Sequence, residues 1–234
     1  MSYSTMIKEK INQYSELEII DAQQLYTSQF ENVPEHAFYK TISRLTQSKE
    51  IERLTKGIYC KPKIGRFGKM ISSEKNILEY YLGMSGNKGV VVGYRMFNKY
   101  KLTSQISKGV EVYSNKTEQE KKKVLNVEIK NANLKFDVST IKMIELINFL
   151  ENYYRIEDLN KYNAKLFIED AVTYYNDKTL DKLIKMIGYK KSTLASLKNI
   201  LDFYKVNHSI SRYLNRLSNY KSISMETLNE TTPE

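Results

Sequence analysis

Cysteine and histidine are scarce in this chain of 234 residues, which contains one cysteine, Cys60, and two histidines, His36 and His208. A single cysteine excludes an intramolecular disulfide and is typical of proteins in a reducing cytoplasm. Because the three residues lie far apart in the sequence, they form no recognisable metal-ligand spacing. Cys60 falls in a run that favours β-structure, and we expect it to be a small buried residue rather than a nucleophile.

Long apolar runs and nucleotide-binding motifs are also lacking. No apolar run approaches the roughly 20 residues of a membrane-spanning helix, and no apolar stretch follows the first charges as in a signal peptide. There is no P-loop, and the glycines between residues 83 and 93 lack the order of a dinucleotide-binding turn. These absences predict a cytoplasmic protein that is not an enzyme, uses no cofactor or metal, and has no membrane partner.

The first 69 residues follow a pattern of short helices and a hairpin. Apolar residues three and four apart predict helices over 4–14, 22–28 and 34–48, the last with a buried stripe of Phe38, Ile42 and Leu45. Two short runs that favour β-structure then flank a turn containing Gly57, which indicates a hairpin. Three short helices followed by a hairpin is the order of a winged helix-turn-helix, so we assign residues 1–69 to such a domain.

The rest of the chain divides into a mixed and a helical part. Residues 70–137 are predicted to form a small α/β segment, with a last strand pair over 124–136 that turns at 131–133. Residues 138–221 carry the apolar spacing of successive helices, and 222–234 are predicted to be a polar tail. The predicted fold class is α+β: an N-terminal winged helix-turn-helix, a small α/β middle segment and a helical C-terminal portion, with 70–221 as one C-terminal domain.

Positive charge is concentrated on two elements of the N-terminal domain. The whole chain carries a net charge of +10, yet residues 1–35 hold two lysines against six acidic residues. Residues 36–69 hold nine lysines and arginines against Glu50 and Glu52. This contrast places the charge on the third helix and the hairpin, the elements that a winged helix presents to DNA. The alternatives are a solvated face, a protein-binding winged helix, or lysine used as a solubilising residue.

The exposed face of the third helix and the basic residues of the hairpin are the candidate DNA-binding residues. Side chains on such a helix reach base edges or phosphates in the major groove, and those on a wing lie along the backbone. The candidates are His36, Tyr39, Lys40, Ser43, Arg44, Gln47, Lys56, Lys61, Lys63 and Arg66.

A second basic region lies near the C-terminus. Residues 178–221 hold ten lysines and arginines against Asp181 and Asp202. We expect this surface to contact an acidic partner, either a protein or flanking DNA, through Lys190, Lys191 and Lys198.

Several short segments resemble AbiEi-type antitoxins, the antitoxins of type IV toxin–antitoxin and abortive-infection systems. Residues 53–62, RLTKGIYCKP, resemble the wing of that family, and residues 72–78, SSEKNIL, resemble the helix that opens its second domain. Residues 93–105, GYRMFNKYKLTSQ, and 110–116, VEVYSNK, are similar to the segments that follow. The match covers about residues 1–137, with Lys101 standing where the family pattern has glycine.

The resemblance implies two activities. The winged helix would repress the protein's own operon by binding repeats in its promoter, and the C-terminal domain would counter a cognate nucleotidyltransferase toxin. Two alternatives are a stand-alone transcriptional regulator without a toxin and a protein-interaction module whose winged helix never contacts DNA. Binding as a monomer and binding as a dimer are both compatible with the sequence.

Overall fold

The computed structural model describes residues 2–215 and 217–226, and these form two compact units. The first unit comprises Met1–Tyr81 with Lys123–Val127, and the second comprises Leu82–Lys122 with Glu128–Glu234. Helices and antiparallel strand pairs occur together in the chain, so the predicted α+β class is confirmed. Among the described residues, no helix is both long and apolar enough to cross a bilayer.

The first unit begins with the order helix, strand, helix, helix, strand, strand. These elements are α1 (Tyr3–Asn12), β1 (Ile19–Asp21), α2 (Ala22–Gln29), α3 (Glu35–Gln47), β2 (Glu52–Thr55) and β3 (Ile58–Cys60). Strand β3 lies between β1 and β2 and is antiparallel to both. The Asp21 carboxylate accepts hydrogen bonds from the backbone N–H groups of Gln23 and Gln24 and so caps α2, as its position in the sequence predicts.

One hydrophobic cluster holds these elements together. Ile7 and Ile11 of α1 and Phe38, Ile42 and Leu45 of α3 are all buried in it. Phe38 packs against the rings of Tyr26, Phe30 and Tyr39, with centroids 5.2 to 5.6 Å apart. The apolar spacing of the sequence therefore identified the inner face of α3, and Cys60 is fully buried, as expected.

The first unit extends beyond the predicted boundary at residue 69. A second hairpin, β4 (Lys63–Gly65) with β5 (Gly68–Met70), and most of α4 (Glu74–Leu82) belong to it. The Ser72 hydroxyl donates to the carbonyl of Leu17 at 2.7 Å, and the Tyr80 hydroxyl donates to the side-chain oxygen of Gln24 at 2.6 Å. The domain boundary is corrected to Tyr81 because these long-range contacts tie 70–81 to α1–β3.

The second unit combines a sheet with a set of helices. Its elements are β6 (Gly89–Val92), α5 (Tyr94–Lys99), β7 (Val110–Ser114), β8 (Lys121–Val124), β9 (Val127–Asn131), α6 (Val138–Asn152), α7 (Lys161–Val172), α8 (Asp177–Met186) and α9 (Lys191–Phe203). The order of the strands in the sheet is β6-β7-β9-β8. The turn between β8 and β9 lies within Lys123–Val127, the segment that is grouped with the first unit. The strand pair therefore turns at 125–126, and the turn predicted at 131–133 is wrong.

Helix α6 is the centre of the second unit. All eight residues from 143 to 150 are buried, and α6 contacts β6, α7, α8 and α9. A helix surrounded on all sides needs partners for its polar groups. The Asn148 side chain accepts from the backbone N–H of Gly93 at 2.9 Å, and the Glu145 carboxylate accepts from the Tyr100 hydroxyl at 2.7 Å. Both polar side chains are thus satisfied by Gly93 and Tyr100, the residues that flank α5.

The described part of the predicted tail is not a free polar segment. Ile223 and Met225 are both buried in the hydrophobic cluster of the second unit. The backbone N–H of Ile223 donates to the Ser196 hydroxyl at 3.0 Å. The predicted tail therefore begins later than residue 222, and residues 227–234 lie outside the described residues.

The turn after α5 explains how lysine replaces the glycine expected at position 101. Lys101 has φ +54°, in the left-handed region that favours glycine. Its carbonyl accepts from the Asn163 side chain at 2.9 Å, and its N–H donates to Asn98. Both contacts belong to the backbone, so they hold the turn whatever side chain stands there.

Replacing Lys101 by glycine is therefore expected to stabilise the protein. The left-handed conformation costs an L-residue about 1–2 kcal/mol, and the larger unfolded-state entropy of glycine offsets part of this gain. We expect the free energy of unfolding to rise by up to about 1 kcal/mol, measured by urea denaturation. The control is Lys165→Gly within α7, an exposed right-handed position where glycine should cost about 1 kcal/mol. Equal losses in both variants would contradict the argument.

Candidate nucleic-acid interface

Helix α3 has one apolar and one polar face. The apolar face is buried and consists of Phe38, Thr41, Ile42 and Leu45. The residues on the opposite face are spaced by three, four and seven positions, which keeps them together on a 3.6-residue helix. They are His36, Lys40, Ser43, Arg44 and Gln47, and all five are exposed.

The polar face of α3 has no polar partner in the part of the chain that the structure describes. None of its five side chains takes part in a hydrogen bond or ion pair with any residue in 2–215 or 217–226. Two of the five carry positive charge, and the others are hydrogen-bonding groups of the types that read base edges. This face is therefore available to an external ligand without breaking an internal contact.

Tyr39, also predicted to contact DNA, is held inside the unit. Its hydroxyl donates to the side-chain oxygen of Gln23 in α2 at 2.8 Å, and its ring packs edge-on against Phe38. Burial, followed by the nearby Glu35 and Asp21 carboxylates, raises the pKa of the hydroxyl. Tyr39 therefore fixes the position of α3 against α2.

The first hairpin presents Lys56 at its turn. Gly57 follows with φ +79°, the left-handed conformation that lets β2 and β3 reverse direction in two residues. Lys56 is exposed and has no hydrogen bond or ion pair among the described residues. Its charge is therefore not neutralised within the described residues, and its contact to a phosphate stays a prediction.

Two other predicted phosphate contacts already have partners inside the unit. The Lys61 ammonium donates to the carbonyls of Asn12 and Tyr14, so it closes the C-terminal end of α1. The Lys63 ammonium lies 3.7 Å from a carboxylate oxygen of Glu16, and both side chains are about half exposed. An exposed ion pair of this kind contributes little and opens readily, so Lys63 keeps more freedom than Lys61.

Arg66 lies at the tip of a hairpin that the sequence did not reveal. In the pairing of β4 with β5, Lys63 lies opposite Met70 and Gly65 lies opposite Gly68. Arg66 and Phe67 therefore form the two-residue turn. Both are exposed, and the Phe67 ring is fully so. The two glycines that flank the turn, with Gly68 at φ +105°, were the available signal for this hairpin.

Both acidic residues of the basic stretch are paired with lysines. The Glu50 carboxylate lies 2.9 Å from the ammonium of Lys8, and Glu52 lies 2.5 Å from that of Lys69. The hydrogen bond from Lys8 holds the pKa of Glu50 below its ordinary value. With these charges neutralised locally, Lys40, Arg44 and Lys56 are among the positive charges of 36–69 that have no counterion within the described residues.

The three lysines predicted to contact an acidic partner differ in their surroundings. The Lys191 ammonium donates to the carbonyl of Tyr213, and the Lys198 ammonium lies 2.5 Å from a carboxylate oxygen of Asp202 one turn along α9. Lys190 is exposed and has no hydrogen bond or ion pair within 2–215 or 217–226. Arg216, which belongs to the same basic region, lies outside the described residues.

Comparison with known proteins yields only distant structural likeness. No family model matches the chain, and no curated protein matches it. Among solved structures, the chain is similar to the RV2827C protein from Mycobacterium tuberculosis, with 10% sequence identity and a TM-score of 0.38. The alignment covers 85% of this chain and 75% of that one. A likeness this distant carries no argument about function.

Proposed function

We propose that this protein is a transcriptional autorepressor that binds promoter DNA through its first unit and counters a nucleotidyltransferase toxin through its second. The observation that carries the DNA-binding half is the polar face of α3. Lys40 and Arg44 stand there beside three further hydrogen-bonding side chains, opposite a buried apolar face and without partners among the described residues. That arrangement suits a recognition helix in the major groove.

The order of elements supports the same proposal. Helices α2 and α3 follow each other across the short connection 30–34, as in a helix-turn-helix, and the β2–β3 hairpin follows as a wing would. Tyr39 joins the two helices through Gln23, so α3 is held in a defined orientation. We therefore propose a winged helix-turn-helix in which α3 reads bases and Lys56 contacts the backbone.

A binding titration with the protein's own upstream DNA tests this half. Fluorescence anisotropy would compare a labelled upstream duplex with a shuffled duplex of the same composition at two salt concentrations. We expect tighter binding to the upstream duplex, with log K falling against log salt by about 0.9 per phosphate contacted. Failure to bind either duplex would favour a protein-interaction module, and equal binding to both would exclude an operator-specific repressor.

The antitoxin half rests on the resemblance of residues 93–105 and 110–116 and on the basic region that includes α9. A stand-alone regulator is the alternative, and a nucleotidyltransferase gene beside this one would distinguish them. That gene supplies the toxin for the test.

Reversing the charges of Lys190, Lys191 and Lys198 to glutamate is expected to abolish rescue of cells that express the toxin. The change turns three positive charges into three negative ones where an acidic partner would dock, and like charges across an interface cost several kcal/mol. The measurement is colony survival on co-expression. The control reverses Lys88, Lys108 and Lys165, which are exposed and lie in the second unit outside residues 178–221. Full rescue by the α9 variant would contradict the proposal.

A further inference from the structure

A cavity of about 210 Å³ lies in the second unit at the start of α9. Three of its lining residues, Arg155, Lys190 and Lys221, are cationic, and Glu151 is its one acidic residue. Neither Arg155 nor Lys190 has an ion pair among the described residues, and the Lys221 ammonium lies over the Tyr154 ring at 4.1 Å. Three positive charges against one negative leave the cavity with an excess of two.

The backbone adds to this positive potential. Helix α9 begins at Lys191, and Lys190 at its N-cap makes no side-chain cap hydrogen bond. The first turn also contains no acidic residue. The first N–H groups of a helix carry partial positive charge and seek an acceptor. In α6, α7 and α8 a capping Asp or Asn side chain supplies that acceptor, whereas α9 has none from a side chain.

A hydroxyl that lines the same cavity has no hydrogen-bond partner among the described residues. Thr193 lines the cavity and is only 3% exposed, yet its hydroxyl takes part in no hydrogen bond with any residue in the described part of the chain. A hydroxyl that faces a pocket and is not paired within the protein is available to a ligand. Thr193 is the third residue of α9 and so belongs to its first turn.

We propose that this cavity, the α9 pocket, binds a phosphate group that carries two negative charges, as inorganic phosphate or as a phosphomonoester. The guanidinium of Arg155 and the ammonium of Lys190 bind its oxygens as charge-assisted donors. The N–H groups of the first turn of α9 and the Thr193 hydroxyl complete the set of donors. The double negative charge matches the excess of two positive charges in the pocket.

Glu151 opposes the binding of the anion. It lies in the pocket wall without an ion pair to Lys190 or Arg155, and burial raises the pKa of its carboxyl although both cations lower it. An ionised Glu151 repels a dianion. Removing this charge should therefore strengthen the binding of phosphate, an effect that a purely structural role of the pocket residues would not produce.

The test is a titration of the full-length protein with inorganic phosphate, followed by amide NMR shifts at constant ionic strength. We expect saturable shifts at Ser192 and Thr193. Lys190→Ala and Arg155→Ala should each weaken binding about tenfold, since a hydrogen bond to a charged group is worth at least that factor. Thr193→Val should weaken it less, and Glu151→Gln should tighten it. Lys178→Ala and Lys185→Ala are the matched controls and should bind as wild type.

Two further ligands separate a phosphate pocket from general attraction of anions. Adenosine monophosphate tests the phosphomonoester and should compete with inorganic phosphate, while dimethyl phosphate, a monoanion like the DNA backbone, should bind much more weakly. Linear shifts without saturation, or equal losses in the control lysine variants, would overturn the proposal. Equal binding of dimethyl phosphate would overturn the preference for a dianion. The first unit is unchanged in every variant, so DNA binding is measured independently.

Discussion

Replacing Lys40 and Arg44 together by alanine is expected to weaken binding to the upstream duplex by about 100-fold, because each contact to a base or phosphate is worth roughly 1–3 kcal/mol. Both side chains are exposed on α3 and have no hydrogen bond or ion pair among the residues that the structure describes. Their removal therefore costs no internal contact, and the thermal midpoint of unfolding should stay unchanged. Fluorescence anisotropy at several salt concentrations would measure both the affinity and its salt dependence.

The salt dependence shows what each side chain contacts. Each lost phosphate contact should reduce the slope of log K against log salt by about 0.9. A lost base contact should instead reduce the preference for the upstream duplex over the shuffled one. The control is Lys165→Ala with Lys178→Ala, which removes the same charge from exposed positions on α7 and α8. An equal loss of affinity in this control would show that net charge, and not the α3 face, accounts for binding.

Replacing Phe149 by alanine is expected to lower the free energy of unfolding of the second unit by about 3–5 kcal/mol, the usual cost of deleting a buried aromatic ring. Phe149 lies in the middle of α6 and is fully buried. The centroid of its ring lies 6.2 Å from that of Phe97 on α5 and 5.6 Å from that of Phe167 on α7. The substitution would leave a cavity between three helices whose positions are fixed by other contacts.

Urea denaturation followed by far-ultraviolet circular dichroism measures this loss, since α6 to α9 make up much of the helix in the protein. The matched control is Phe203→Ala at the end of α9, where the same ring is half exposed. That substitution should cost no more than about 1 kcal/mol because little apolar surface returns to water. Similar losses at the two positions would mean that α6 is not the centre of the core.

The faces of α3 show what local patterning can establish. Residues three and four apart meet on one side of any helix, so the sequence identified Phe38, Ile42 and Leu45 as the buried stripe. The same spacing assigned His36 and Lys40 to the exposed face. These assignments needed no knowledge of what packs against the helix.

Local patterning could not predict the short strands or the long-range contacts. Strand β1 has only three residues and exists because Ile20 pairs with Tyr59 of β3, far along the chain. Ile223 and Met225 of the predicted polar tail are buried. These residues are buried by elements that are distant in the sequence, and local spacing carries no information about such elements.

Composition and local spacing were enough to establish the α+β class, the helices with strong periodicity and the concentration of positive charge in 36–69. Which of those charges are free depends on the folded structure. Lys61 is bound to the end of α1 and Lys69 to Glu52, whereas Lys40, Arg44 and Lys190 have no internal partner among the described residues. The reason is physical: a charge is neutralised by what lies within a few ångströms of it in space, and the fold alone sets those distances.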